Sequence, residues 1–160
     1  MANDNYYDDA TVAGWSLNGA GWNTMSAITR AFELGTYTAT FASVTSTGNI
    51  VYGGQSYSAP YELTDGATIT PNWDNGDNQY VELAGNRTIA NPSNINAGAT
   101  YTLTIIQDST GTRTASWGTY YKWAGGTAPT LSTDGDAIDL VTIYAKSSTE
   151  LLCVWSGDFS

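Results

Sequence analysis

From Thr36 onward the chain alternates polar and apolar residues in short runs. "TYTATFASV" sets Tyr37, Ala39 and Phe41 against threonines, the period of two that marks a strand with one buried face. "NIVYGG" and "QSYSAPYEL" follow. Pro60 lacks an N–H to donate and makes the second of these an edge strand or a loop. "ATIT", "QYVELAG" and "RTIA" predict more short strands, the last two around a turn at Gly85 and Asn86. "PNWDNGDN" and "NPSNINAGA" are dense in turn formers and predict loops. The run from Thr100 to Trp123 alternates, breaks between Gln107 and Arg113, then alternates again, which predicts a hairpin. Tyr101, Leu103 and Ile105 share one side there, and Thr100, Thr102 and Thr104 the other. "AIDLVTIYA" and "ELLCVWSGDF", separated by "KSSTE", predict a terminal hairpin. In its first strand Ile138, Leu140, Thr142 and Tyr144 oppose Asp139, Val141, Ile143 and Ala145, so both faces are largely apolar. Such a strand is central or covered twice, the second cover being supplied by a neighbouring subunit.

Short strands at roughly ten-residue spacing predict an all-β protein, with a β-sandwich or jelly-roll-like body over residues 36–160. No fixed repeat is visible, which argues against a solenoid. Ahead of that body, "NTMSAITRAFELG" is the one helix candidate: Met25, Ile28 and Phe32 share a face, Asn23 or Thr24 caps its start, and Gly35 ends it. Residues 1–22 are rich in Gly, Asn and Asp and read as an extended arm. Residues 1–35 thus form an attachment segment of arm and short helix. Its isolated aromatics, Tyr6, Tyr7, Trp15 and Trp22, are candidate partner contacts, because rings in a loose segment need a surface to pack on.

Composition supports the β reading. Of 160 residues 12% are charged, about half the usual ~25%, and Thr, Ser, Asn and Gly take their place. Net charge is −10, with only five Lys and Arg. That balance lacks the basic footprint of a nucleic-acid binder or of a protein drawn to an anionic membrane. The single cysteine, Cys153, sits in the apolar run "LLCVW" and reads as a small buried hydrophobe. The first residues lack the basic and apolar regions of a signal peptide, and no run approaches the ~20 apolar residues that span a bilayer. Synthesis in a host cytoplasm is expected, and the "NRT" sequon at Asn86 is taken as chance.

With no histidine in the chain, Ser-His-Asp and Cys-His nucleophilic catalysis is excluded. Carboxylate chemistry remains, through Glu62, Asp65, Asp74, Asp77, Glu82 and Asp108, most of them in turns where Asp is a normal turn former. "DNGDN" and "DGD" resemble pieces of calcium loops but lack the full ligand spacing, so no metal or other cofactor is expected. Six Trp and eleven Tyr offer sugar-stacking platforms, Trp117 and Trp123 flanking one turn, or else core and interface packing. Arg87 and Arg113, in "GNRT" and "GTRT", are expected to tie loops to carboxylates.

The stretch from "DGATITPNWDNGDNQYVELAGNRTIANPSN" through "QDSTGTRTASW", "KWAGGTAPTLST" and the terminal hairpin resembles a β-rich C-terminal module of tailed-phage virion proteins. The likeness covers residues 65–159; residues 1–64 match no such pattern. It implies a β-sandwich, often trimeric, without enzymatic activity, found in tail fibres, head fibres and capsid decoration proteins. No catalytic residues carry over from it. Small size and an aromatic arm favour a capsid decoration or cement protein on the capsid exterior, contacting the major capsid protein and itself as a homotrimer. The alternative is a tail-fibre or receptor-binding component that recognises host surface glycan. A small carboxylate hydrolase is the remaining, least favoured role.

Overall fold

The computed structural model describes residues 54–159, within the compact unit Tyr52–Ser160. The arm with Tyr6, Tyr7, Trp15 and Trp22, the helix over 23–35, the domain boundary after residue 35 and the strand at 36–44 lie outside the described residues. These form nine strands: β1 (Tyr61–Glu62), β2 (Thr68–Ile69), β3 (Asn78–Leu83), β4 (Arg87–Ile89), β5 (Thr100–Gln107), β6 (Ala115–Trp117), β7 (Tyr121–Trp123), β8 (Ile138–Ser147) and β9 (Glu150–Phe159). One sheet has the order β1-β3-β5-β8-β9-β7 and the other β2-β4-β6.

The chain visits the two sheets in turn. β1, β3 and β5 are parallel neighbours in the large sheet, and β2, β4 and β6 are parallel neighbours in the small one. Residues 61–117 therefore wind through three stacked coils, a short two-sheet solenoid. β8 closes the stack antiparallel to β5, β9 pairs antiparallel with β8, and β7 lies parallel to β9 at the edge.

This winding corrects three expectations. The layers of a sandwich are present, since residues of both sheets share one core, but the parallel alternation is not jelly-roll topology. The run Thr100–Trp123 is not a hairpin: Gln107 ends β5 in one sheet and Ala115 opens β6 in the other. The solenoid discounted from sequence is real and aperiodic. Tyr61 pairs with Gln79 and Gln79 with Leu103, steps of 18 and 24 residues. Thr68 pairs with Thr88 and Thr88 with Ser116, steps of 20 and 28. Unequal corners erase the repeat while the rungs stay in register. The terminal hairpin and the edge position next to Pro60 are as expected: β8 pairs with β9, and β1 lies at the sheet margin.

Alternation decides what each rung buries. Ile69, Ile89 and Trp117 form the inward row of the small sheet, while Thr68, Thr88 and Ser116 form an exposed row outside. Val81, Ile105, Leu103, Val141 and Ile143 supply the facing wall and are fully buried; each such side chain contributes about 1.5–3 kcal/mol by leaving water. Trp73, in a 3-10 turn between β2 and β3, stacks on Tyr101 with ring centroids 4.2 Å apart and planes 9° from parallel.

Side chains knit the corners where backbone pairing stops. Asn72 Oδ1 accepts from the Asp74 N–H and from Asn94 Nδ2 of the next coil. Asn91 Oδ1 accepts the Tyr120 N–H. Gln107, 1% exposed, mimics a strand: its Oε1 accepts the Arg113 N–H at 2.7 Å and its Nε2 donates to the Arg113 carbonyl at 3.0 Å. Its polarity is needed there. Gln107→Leu should destabilise the protein by about 1–3 kcal/mol despite adding apolar surface, because both backbone groups lose their partner. Urea denaturation checks this, and a neutral or stabilising result would contradict the role given to Gln107.

Candidate functional site

The outer face of the large sheet is the surface that the core leaves unused. On β5 it is polar, with Thr100, Thr102 and Thr104 pointing outward. On β8 and β9 it turns apolar. Tyr144 pairs across with Leu152, and Thr142 with Val154; Tyr144, Leu152 and Val154 are 48%, 43% and 63% exposed. Lys122 on β7 stands opposite Leu152, and its Nζ donates to the Thr119 carbonyl at 2.8 Å. These residues, with Trp123 and Ala124, line a shallow groove. The opposite faces of the same strands carry Val141, Ile143, Ala145, Leu151 and Cys153, all buried. β8 is thus apolar on both faces, as its sequence indicates, and only one face is covered within the described residues. A contiguous exposed apolar band of this kind marks a contact surface.

Trp117 and Trp123 do come together, with ring centroids 4.8 Å apart in an edge-to-face pair, and Trp117 packs likewise on Tyr121. Both are half-buried against the core, and their Nε1 groups are buried without a partner among the described residues. Edge-to-face rings packed this way brace the join between β6 and β7; they do not offer an open stacking platform. Burial also explains Cys153, whose thiol is pushed up to about 12 by desolvation and is a packed hydrophobe, as expected. Tyr121 is likewise pushed up by burial.

The carboxylates do not converge. Asp65 takes a two-pronged contact from Arg87, Nε to Oδ1 at 2.8 Å and Nη2 to Oδ2 at 2.5 Å. Asp108 takes one from Arg113, with Nη2 to Oδ2 at 2.7 Å. Both forks sit at corners where the chain passes from the large sheet to the small one, so both arginines do tie loops to acids. Glu62 accepts from the Tyr80 hydroxyl at 3.2 Å. Asp74, Asp77 and Glu82 are exposed.

The Arg87 guanidinium holds the Asp65 carboxyl below its ordinary value of 3.8, and the Arg113 guanidinium does the same for Asp108. A carboxyl whose folded pKa lies under its unfolded value contributes stability that is complete above the unfolded value. That contribution disappears as pH falls through the folded one. Stability should therefore drop as pH is lowered below about 4, and the drop should shrink in the Asp65→Asn, Asp108→Asn double variant. Denaturant midpoints at pH 7, 4 and 2 check this; equal pH slopes for variant and parent would contradict it.

Sequence reasoning singled out neither the exposed trio on β8 and β9 nor the burial of Asp139. The apolar second face of β8 was the signal for the former, and the alternation that sets Asp139 on the face of Val141, Ile143 and Ala145 was the signal for the latter.

No curated protein and no solved structure matches the chain. One family model does, over residues 68–147, which run from the first residue of β2 to the last of β8. That span is half of the chain and takes in most of the solenoid and its first closing strand. The chain belongs to the family described as "Putative phage tail fibre C-terminal domain", and is a phage virion structural protein with a β-rich C-terminal module.

Proposed function

We propose that the chain is a non-enzymatic tail-fibre component, a rigid module that presents a host-binding surface at a virion appendage. The observation that carries this is the family match from β2 to β8. It supports the tail-fibre alternative over a capsid cement on the head exterior contacting the major capsid protein. The physical form agrees with that role. Stacked coils sewn together by Asn72–Asn94, Asn91–Tyr120 and Arg87–Asp65 make a stiff post. Fibre modules act on surfaces outside a cell, where rigidity preserves the geometry of a weak, repeated contact.

In this reading the β8–β9 band of Tyr144, Leu152 and Val154 meets a second copy of the chain in a homotrimer, and host surface glycan is recognised by each copy. Three copies give the avidity that single sugar contacts lack. The purified protein should bind host cells, compete with the parent phage for adsorption, and lose binding when cell-surface glycans are oxidised with periodate. It should sediment as a trimer, and Val154→Asp should sediment as a monomer with its fold intact. A parent protein that is monomeric would remove the homotrimer. One that neither binds cells nor competes would remove the adhesive role.

A further inference from the structure

At its C-terminal end β9 carries one residue more than β8 needs: Leu140 pairs with Ser156, but Ile138 pairs with Phe159. This β-bulge places Asp158 at φ +64. It also lays Trp155 over Gly157, where any Cβ would collide with the indole edge and with Asp139 Oδ1. Bulges re-aim side chains and are frequent beside binding sites. Here the bulge borders a cleft of about 280 Å³ walled by Thr130, Ser132 and Asp134 on the preceding loop and by Trp155 and Asp158 on β9.

The cleft is built on a fixed frame. Asp139 is fully buried, and its two oxygens accept the Ser132 N–H at 2.9 Å and the Ser132 Oγ–H at 2.7 Å. The Ser132 hydroxyl has spent its hydrogen inward and keeps lone pairs as acceptors. The loop is clamped to the corner after β5: the Thr112 N–H donates to the Thr133 carbonyl at 2.8 Å and the Asp136 N–H to the Asp108 carbonyl at 3.2 Å. Gly111 and Gly135 allow those backbones to touch. A site held this way needs little ordering to bind.

Its chemistry is selective. A half-buried indole, its Nε1 buried without a partner among the described residues, lines the cleft beside hydroxyl and carboxylate acceptors, and no Lys or Arg does. Sugar rings suit such a wall, setting C–H groups against the part of the indole that borders the cleft while their hydroxyls donate to carboxylate oxygens. Two carboxylates with no cation in the cleft wall repel an anionic sugar and favour a neutral or amino one. The volume lies near the lower limit of the ~300–1,000 Å³ seen for small-molecule sites, which suits a single ring. We infer that the cleft at the β8–β9 bulge is a saccharide subsite for a neutral or amino sugar. It rests on the glycan-binding reading above and assigns that reading to named residues.

Saturation-transfer NMR on the full chain tests it, with galactose, glucose, N-acetylglucosamine, glucosamine and N-acetylneuraminic acid as probes, alongside host-cell binding. At least one neutral or amino sugar should receive saturation and the anionic sugar none. Asp134→Asn and Asp158→Asn should each weaken that binding about tenfold, the scale of a hydrogen bond to a charged group. Both variants should keep the parental Tm, since Asp134 is exposed and Asn tolerates a positive φ at 158. No saturation with any sugar, strongest saturation with the anionic sugar, or binding unchanged in both variants would overturn the subsite. If the parent and both variants bind cells equally, the subsite falls while the adhesive role stands. If the parent binds no cells, the adhesive role falls separately.

Discussion

Gly111→Ala is expected to be the most damaging single-methyl change in the described residues. Gly111 has φ +70, and an added Cβ would run into the Thr133 carbonyl oxygen and lie 2.8 Å from the Gly135 nitrogen. Two costs add. A left-handed conformation costs an L-residue about 1–2 kcal/mol. Overpacking against groups that cannot swing aside costs about 1–3 kcal/mol more. The colliding atoms are backbone, and both flanking segments are anchored: Gly111 N–H donates to the Asp108 carbonyl and side chain, and Thr112 N–H to Thr133. A total of about 2–5 kcal/mol should lower Tm by on the order of 10 °C or more. Gly125→Ala is the matched control, because it shares a positive φ of +77 but meets nothing within 4 Å, so only the first cost applies. Calorimetry on both variants checks the difference; equal losses would show that the Gly111 contact carries no weight.

The second large effect is expected at Trp73. This residue is 4% exposed, stacks on Tyr101, and sits at the corner that starts the second coil. Its removal leaves a cavity against Tyr101, whose hydroxyl accepts the Asn96 N–H at 2.8 Å and so fixes the following corner too. Trp73→Ala should cost about 3–5 kcal/mol, and Trp73→Phe distinctly less, since a ring still lies on Tyr101. Urea denaturation of the pair checks this. An alanine variant within 1 kcal/mol of the parent, by the scale of surface substitutions, would place Trp73 outside the core.

Which residues are buried was legible in the sequence, and, the terminal hairpin apart, which strands pair was not. Tyr101, Leu103 and Ile105 could be assigned inward from alternation alone, because a period of two fixes the face of every residue in a strand. Alternation carries no information on the partner strand. "QDSTGTRTASW" therefore read as a hairpin turn, although its Gly111 and Thr112 are bound to Thr133 and its Arg113 to Gln107 and Asp108, leaving β6 free to pair with β4. Corners of unequal length hid the coil repeat for a related reason: only the rungs are constrained to register. The two arginine forks were legible because Arg between short polar turn residues has few other roles. The cleft was not, because Ser132, Asp139, Trp155 and Asp158 are separated in sequence and meet only through a bulge.

Membership of the family makes the chain a virion component, and under the proposed function it sits on the tail. Immunogold electron microscopy of intact virions with antibody to the solenoid body measures this directly. Gold on the tail appendages, with bare heads, is the expected picture; gold spread over the capsid surface, with bare tails, would contradict it.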